Sequence, residues 1–224
     1  MARIWILGDS WGTLNGLPPI MRPRQKHLHQ CLVEAGHRVV NLSIPGGSNG
    51  QSINLAYKHM RKCRAKRRPH RVDYLIWFHT ESLRERSPTL TETPYTIQDL
   101  TRQQATLTYR LWKSLVEQTG ARDIIIGGQA PVITDLLVHE PYHLIEDWRC
   151  ELLGIPSIMT HSVCHTDLFE HPNCKDPAKI RLDMLAQNEV IIDMERESDL
   201  FPDNAHPGRK AHESLFERIS NLLC

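Results

Sequence analysis

No run of apolar residues in this chain is long enough to cross a bilayer. Its first residues also lack the basic segment, apolar core and cleavage site of an export signal, so a cytoplasmic location is expected. Net charge is scarce too. Lys and Arg number 27 against 26 Asp and Glu, leaving +1, so no global field recruits nucleic acid or an anionic membrane. Close Cys-x-x-Cys pairs are missing: Cys31, Cys63, Cys150, Cys164, Cys174 and Cys224 are scattered, unlike a disulfide framework, and read as thiols in a reducing compartment. Histidine, in contrast, is plentiful at 13. His161, Cys164, His165, His171 and Cys174 fall close together, yet without the paired spacing of a zinc site. That segment reads as an irregular loop; no metal and no cofactor are expected.

What is present suits a soluble globular protein. With 40% hydrophobic and 24% charged residues over 224 positions, a single domain spanning 1–224 can bury its own core. Strand and helix signals alternate. Arg3 to Leu7, Arg38 to Leu42, Val72 to Phe78 and Arg122 to Ile126 read as strands, with a short fifth at Ile155 to Met159. Helices are expected over Arg24 to Ala35, Gln51 to Arg64, Thr96 to Thr119, Tyr142 to Leu152, Pro177 to Asn188 and Pro207 to Leu223. Such alternation implies right-handed crossovers and a mostly parallel sheet between helical layers.

Open parallel sheets form their sites beyond the carboxyl ends of the strands. Gly8-Asp9-Ser10-Trp11 begins one loop on that edge, and Ser43 to Asn49, His79-Thr80-Glu81 and Gly127-Gly128-Gln129 begin three more. A serine hydroxyl attacks only when a base removes its proton, and a histidine does so best when a carboxylate holds its tautomer. Asp203 and His206 stand three apart near the end of the chain. Alone they read as a turn before a helix; with Ser10 placed at a strand end, a triad is the better reading.

These blocks resemble the SGNH (GDSL-type) hydrolases. Gly8-Asp9-Ser10 is similar to the first family block, Asn41 to Gly47 to the second and Asp203 to His206 to the last. The resemblance implies a three-layer α/β/α sandwich with a flavodoxin-like sheet of about five strands. It implies Ser10 as nucleophile and Asp203 and His206 as its partners, with the amides of Ser10 and Gly46 as oxyanion donors. The third block departs: Gly-x-Asn-Asp falls on Phe78-His79-Thr80-Glu81, so Thr80 stands where an asparagine would reach the oxyanion. One lost donor costs about 10²–10³ in turnover. Thr80 itself, Asn49 or His79 could supply it. The altered block beside Gly-Gly-Ser-Asn also resembles SGNH-like proteins of tailed phages, which would allow a virion-associated location.

The resemblance implies a serine esterase, with an acetyl or small acyl group on a carbohydrate as the expected substrate. The alternative is a binding or structural module with a degenerate site, such as a phage virion or assembly component; a nucleic-acid-binding protein ranks last. Lys58 to Arg71 holds eight Lys or Arg in 14 residues, open to an anionic partner but also explained as a solvated helix end. Trp11 either walls the acyl pocket or packs under the sheet. Glu81, Arg84, Arg86 and Gln129 could meet a polar substrate group.

Overall fold

A computed structural model describes residues 1–13, 26–66, 71–80, 97–127, 132–137, 142–146 and 206–223, together with Trp148, Leu152 and Leu200. Five strands form one parallel sheet: β1 (Arg3–Leu7), β2 (Arg38–Asn41), β3 (Tyr74–Phe78), β4 (Arg122–Ile126) and β5 (Tyr142–Ile145), in the order β2-β1-β3-β4-β5. Each pairing is parallel, with Leu7 opposite Trp77 and Phe78 opposite Ile126. This is the flavodoxin-like order, and its switch point lies between β1 and β3. Helices α1 (Leu28–Glu34), α2 (Asn49–Ala65), α3 (Ile97–Thr119) and α4 (Arg209–Ser220) cover the sheet.

Alternation along each strand divides the core into two layers. Ile4, Ile6, Ile76, Phe78, Ile124 and Ile126 face Leu28 and Leu32 of α1 and Leu215 and Ile219 of α4. Trp5, Leu7, Leu75, Trp77 and Ile125 face Ile53 and Met60 of α2 and Tyr109, Trp112 and Leu115 of α3. The central strands are almost wholly apolar because both faces are covered; the buried Asp123 of β4 departs from this and is bonded by the Trp112 indole. The three-layer sandwich and the flavodoxin-like parallel sheet are as expected.

Several boundaries differ from the sequence reading: α1 leaves out Lys26 and His27, β2 leaves out Leu42, β3 leaves out Val72 and Asp73, and α4 runs Arg209–Ser220 rather than Pro207 to Leu223. Tyr142–Ile145 is the edge strand β5, not the start of a helix. Trp148 and Leu152 beyond it are helical, as expected, but the four residues of the strand cannot be told from a helical turn by period. α2 begins at Asn49 because Ser48 caps it: the Gln51 N–H donates to Ser48 Oγ at 3.2 Å, and the Ser48 N–H donates to Gln51 Oε1 at 3.1 Å. The expected strand at Ile155 to Met159 and helix at Pro177 to Asn188 lie outside the described residues, as does the His161 to Cys174 cluster.

Candidate active site

β1 delivers Ser10 to the carboxyl edge through a turn that only glycine permits. Gly8 has φ +142°, and a Cβ there would lie 2.6 Å from Phe78 Cβ. Ser10–Gly12 then form one turn of 3₁₀ helix, capped by the buried Asp9, whose Oδ1 accepts the Trp11 N–H at 3.0 Å. Ser10 itself is only 8% exposed.

The loop after β2 is stitched to this turn. The Ile44 N–H donates to the Gly8 carbonyl at 2.9 Å. Asn41 donates from Nδ2 to the Gly12 carbonyl at 2.6 Å and accepts the Ser43 N–H at 3.0 Å. Ile44 to Gly47 close a β-turn by a 2.8 Å bond, with Pro45 second and Gly46 third at φ +65°, the type II pattern. Gly46 is exposed at its tip, beside the Ser10 turn.

Far along the chain, His206 returns to the same place. Its Nε2 lies 3.0 Å from Ser10 Oγ, across 196 residues of sequence. With Nε2 unprotonated, the hydroxyl donates and the imidazole is the base. The chain just after it is tied down: Gly208 caps α4 and donates its N–H to the Leu200 carbonyl at 2.7 Å, and α4 packs on α1. Asp203 lies outside the described residues, as do Glu81, Arg84, Arg86 and Gln129.

At the end of β3, Asn49 and Thr80 take different parts. The Asn49 carboxamide is a brace: Oδ1 accepts the Thr80 N–H at 3.0 Å and Trp77 Nε1–H at 3.2 Å, while Nδ2 donates to the Thr80 carbonyl at 2.6 Å. Thr80 is fully buried and its hydroxyl has no hydrogen-bond partner. His79 lies on the α3 side instead, where its Nε2 meets Tyr109 Oη at 3.0 Å. That phenol also accepts the Ile133 N–H at 3.0 Å, and burial pushes its ionisation well above the usual value. Trp11, 4% exposed and edge-on to Trp148 at 5.8 Å, packs in the core.

A second pair of histidines was not foreseen. His27, at the start of α1, and His212, on the inner face of α4, stack with ring centroids 4.2 Å apart. Both are buried, and none of their four ring nitrogens has a hydrogen-bond partner. Burial, then the neighbouring His206 and His29, hold the His27 pKa down to about 4. Burial and His27 hold His212 well below its usual range. Both rings are therefore neutral near pH 7. The one clue in sequence was His212 on an apolar helical stripe with Ala211, Leu215 and Ile219.

Among the described residues no group of three or more His, Cys, Asp or Glu is placed to hold a metal ion, and no helix is long and apolar enough to cross a membrane. The chain is similar to several solved structures. One is a lipase/acylhydrolase from Enterococcus faecalis, at 14% identity and TM-score 0.41 over 100% of this chain and 95% of that one. An acetyl xylan esterase from Geobacillus stearothermophilus matches at 15% identity and TM-score 0.40, covering 96% and 91%. Another acetyl xylan esterase matches at 11% identity and TM-score 0.48, covering 99% and 100%. No protein-family model and no curated protein sequence matches the chain.

Proposed function

We propose that the protein is a serine esterase of the SGNH type, cleaving an acetyl or other small acyl group from a carbohydrate ester. The observation that carries this reading is the 3.0 Å contact between Ser10 Oγ and His206 Nε2 at the carboxyl edge of the sheet. In the proposed reaction Ser10 attacks the ester carbonyl as His206 takes its proton, and Asp203 orients the imidazole and steadies its charge. The amides of Ser10 and Gly46 hold the oxyanion. Thr80 is the candidate for a third donor, because the Asn49 carboxamide is already engaged as a brace while the Thr80 hydroxyl, buried in the free protein, is uncommitted. His206 then protonates the leaving alcohol and activates the water that frees the acyl group. The shallow exposure of Ser10 favours a short acyl chain.

Hydrolysis of p-nitrophenyl acetate by the wild type and by Ser10→Ala tests the assignment. The variant is expected to lose turnover by at least about 10³-fold; equal rates would remove Ser10 from the nucleophile's role. A wild type without hydrolysis would favour the alternative, a binding or structural module in which threonine at position 80 marks a degenerate site.

A further inference from the structure

We propose that the outer face of α2 and the amino edge of the sheet bind the phosphate backbone of double-stranded nucleic acid. The sequence segregates charge sharply. Between Glu34 and Asp73 there is no acidic residue, yet there are nine Lys or Arg, in a chain whose net charge is only +1. The fold then gathers these cations. Lys58, Arg61, Lys62 and Lys66 follow the i, i+3, i+4, i+8 spacing that keeps them on one side of α2 and its cap, all four exposed. The opposite side of the helix is buried through Ile53, Ala56 and Met60.

α2 runs away from the catalytic edge. Its first residue, Asn49, braces Thr80, and its last turn reaches the amino edge roughly 25 Å away at 1.5 Å per residue. There the strands add further charge. Arg38 opens β2 in register with Arg3 of β1, Arg71 precedes β3, and Arg122 opens β4 in register with Tyr74. Arg38 and Arg122 are exposed, and the Arg71 side chain is 80% exposed. Asp73 offsets part of this, pairing with Arg71 at 3.4 Å.

Elsewhere among the described residues, several cations have carboxylate neighbours. Lys26 pairs with Glu34, Lys113 with Glu117 and Arg209 with Glu213. Among the described residues, the side chains of Lys58, Arg61, Lys62, Arg64 and Lys66 have no carboxylate neighbour. Such a row of cations matches a polyanion, and release of the counterions condensed on a phosphate backbone favours that partner at low salt. Among the described residues of α2 and the amino edge no aromatic side chain is exposed, so none there offers a platform for stacking unpaired bases. Exposed large apolar residues at this edge are few, which disfavours a bilayer. A duplex read through its phosphates fits what remains. It would tether the protein by the end opposite the Ser10 edge and leave that edge open.

The test is fluorescence anisotropy of a labelled random-sequence DNA duplex titrated with the full-length protein across a salt series. The wild type should bind at about 50 mM salt and lose affinity steeply as salt rises. The variant Lys58→Gln/Arg61→Gln/Lys62→Gln/Lys66→Gln should bind at least about tenfold more weakly, with the log–log salt slope reduced by about three to four. Glutamine keeps the helical preference of the residues it replaces, and thermal melting checks the fold. The single variants Lys58→Gln and Lys62→Gln should each reduce the slope by about 0.9. No binding at low salt, an unchanged slope in the fourfold variant, or tighter binding to a sulfated polysaccharide or to phosphatidylserine vesicles at matched salt would each overturn the proposal.

Discussion

The two faces of the sheet differ in how completely they pair their buried polar groups. Under α2 and α3 the polar groups are joined: Trp112 Nε1–H donates to Asp123 Oδ2 at 2.8 Å, Trp77 to Asn49 at 3.2 Å, and Tyr109 meets His79 at 3.0 Å. Under α1 and α4, the rings of His27 and His212, the Trp148 indole N–H and the Thr80 hydroxyl have no partner. An unpaired buried polar group costs about 1–3 kcal/mol, so the second face, where both nitrogens of His27 and of His212 lack a hydrogen bond, carries a larger cost than the first, where only single atoms of His79 and Asp123 do. Ser10 and His206 meet on the costly side, where His27 is electrostatically coupled to His206. The difference teaches that one face anchors the fold, while the other gives up stability beside the reactive pair.

Several substitutions break or sharpen this contrast. The largest effect is expected from His206→Ala, which removes the base and should lower ester turnover by at least about 10³-fold while the melting temperature barely moves. Thr80→Val comes next. It deletes a hydroxyl that stabilises nothing in the free protein, so turnover should fall about 10²–10³-fold with stability unchanged or raised; a loss of stability without loss of turnover would contradict the donor role.

Acid should act mainly through the unpaired face. An unfolded imidazole takes a proton near 6.5, whereas folded His27 resists until about 4. The unfolded state thus binds more protons between those values, and stability is full above pH 6.5 and declines as pH falls toward 4. His27 alone accounts for about 3 kcal/mol of that decline, and His212 extends it to lower pH. Urea unfolding across this window checks it, and His27→Phe should flatten the curve.

The smallest effects come from a matched pair of substitutions. Trp112→Phe takes the indole donor from the buried Asp123 and should cost about 1–3 kcal/mol. His212→Phe removes two unpartnered nitrogens and should be neutral or stabilising by up to about 1 kcal/mol. Chemical denaturation compares the two; equal losses would erase the distinction between the faces.

Much of this was legible in the sequence, for identifiable reasons. β1, β3 and β4 were plain because a strand covered on both faces must be apolar throughout, as Tyr74–Phe78 are. Ser10 stood out because parallel sheets work at their carboxyl edge, and His206 because a serine needs a base. β5 was hidden by its brevity. The start of α2 is written in the Ser48 and Gln51 capping box. The stacking of His27 on His212 was not legible, since it depends on α4 folding back against α1. The division of labour between Asn49 and Thr80 was likewise set by side-chain direction, which spacing does not reveal.

Labelling with a fluorophosphonate probe tests the central claim most directly, because only an activated serine reacts. Peptide mapping by mass spectrometry should find the adduct on Ser10 in the wild type and none in His206→Ala. An unlabelled wild type, or an adduct on Ser10 that persists without His206, would contradict the assignment.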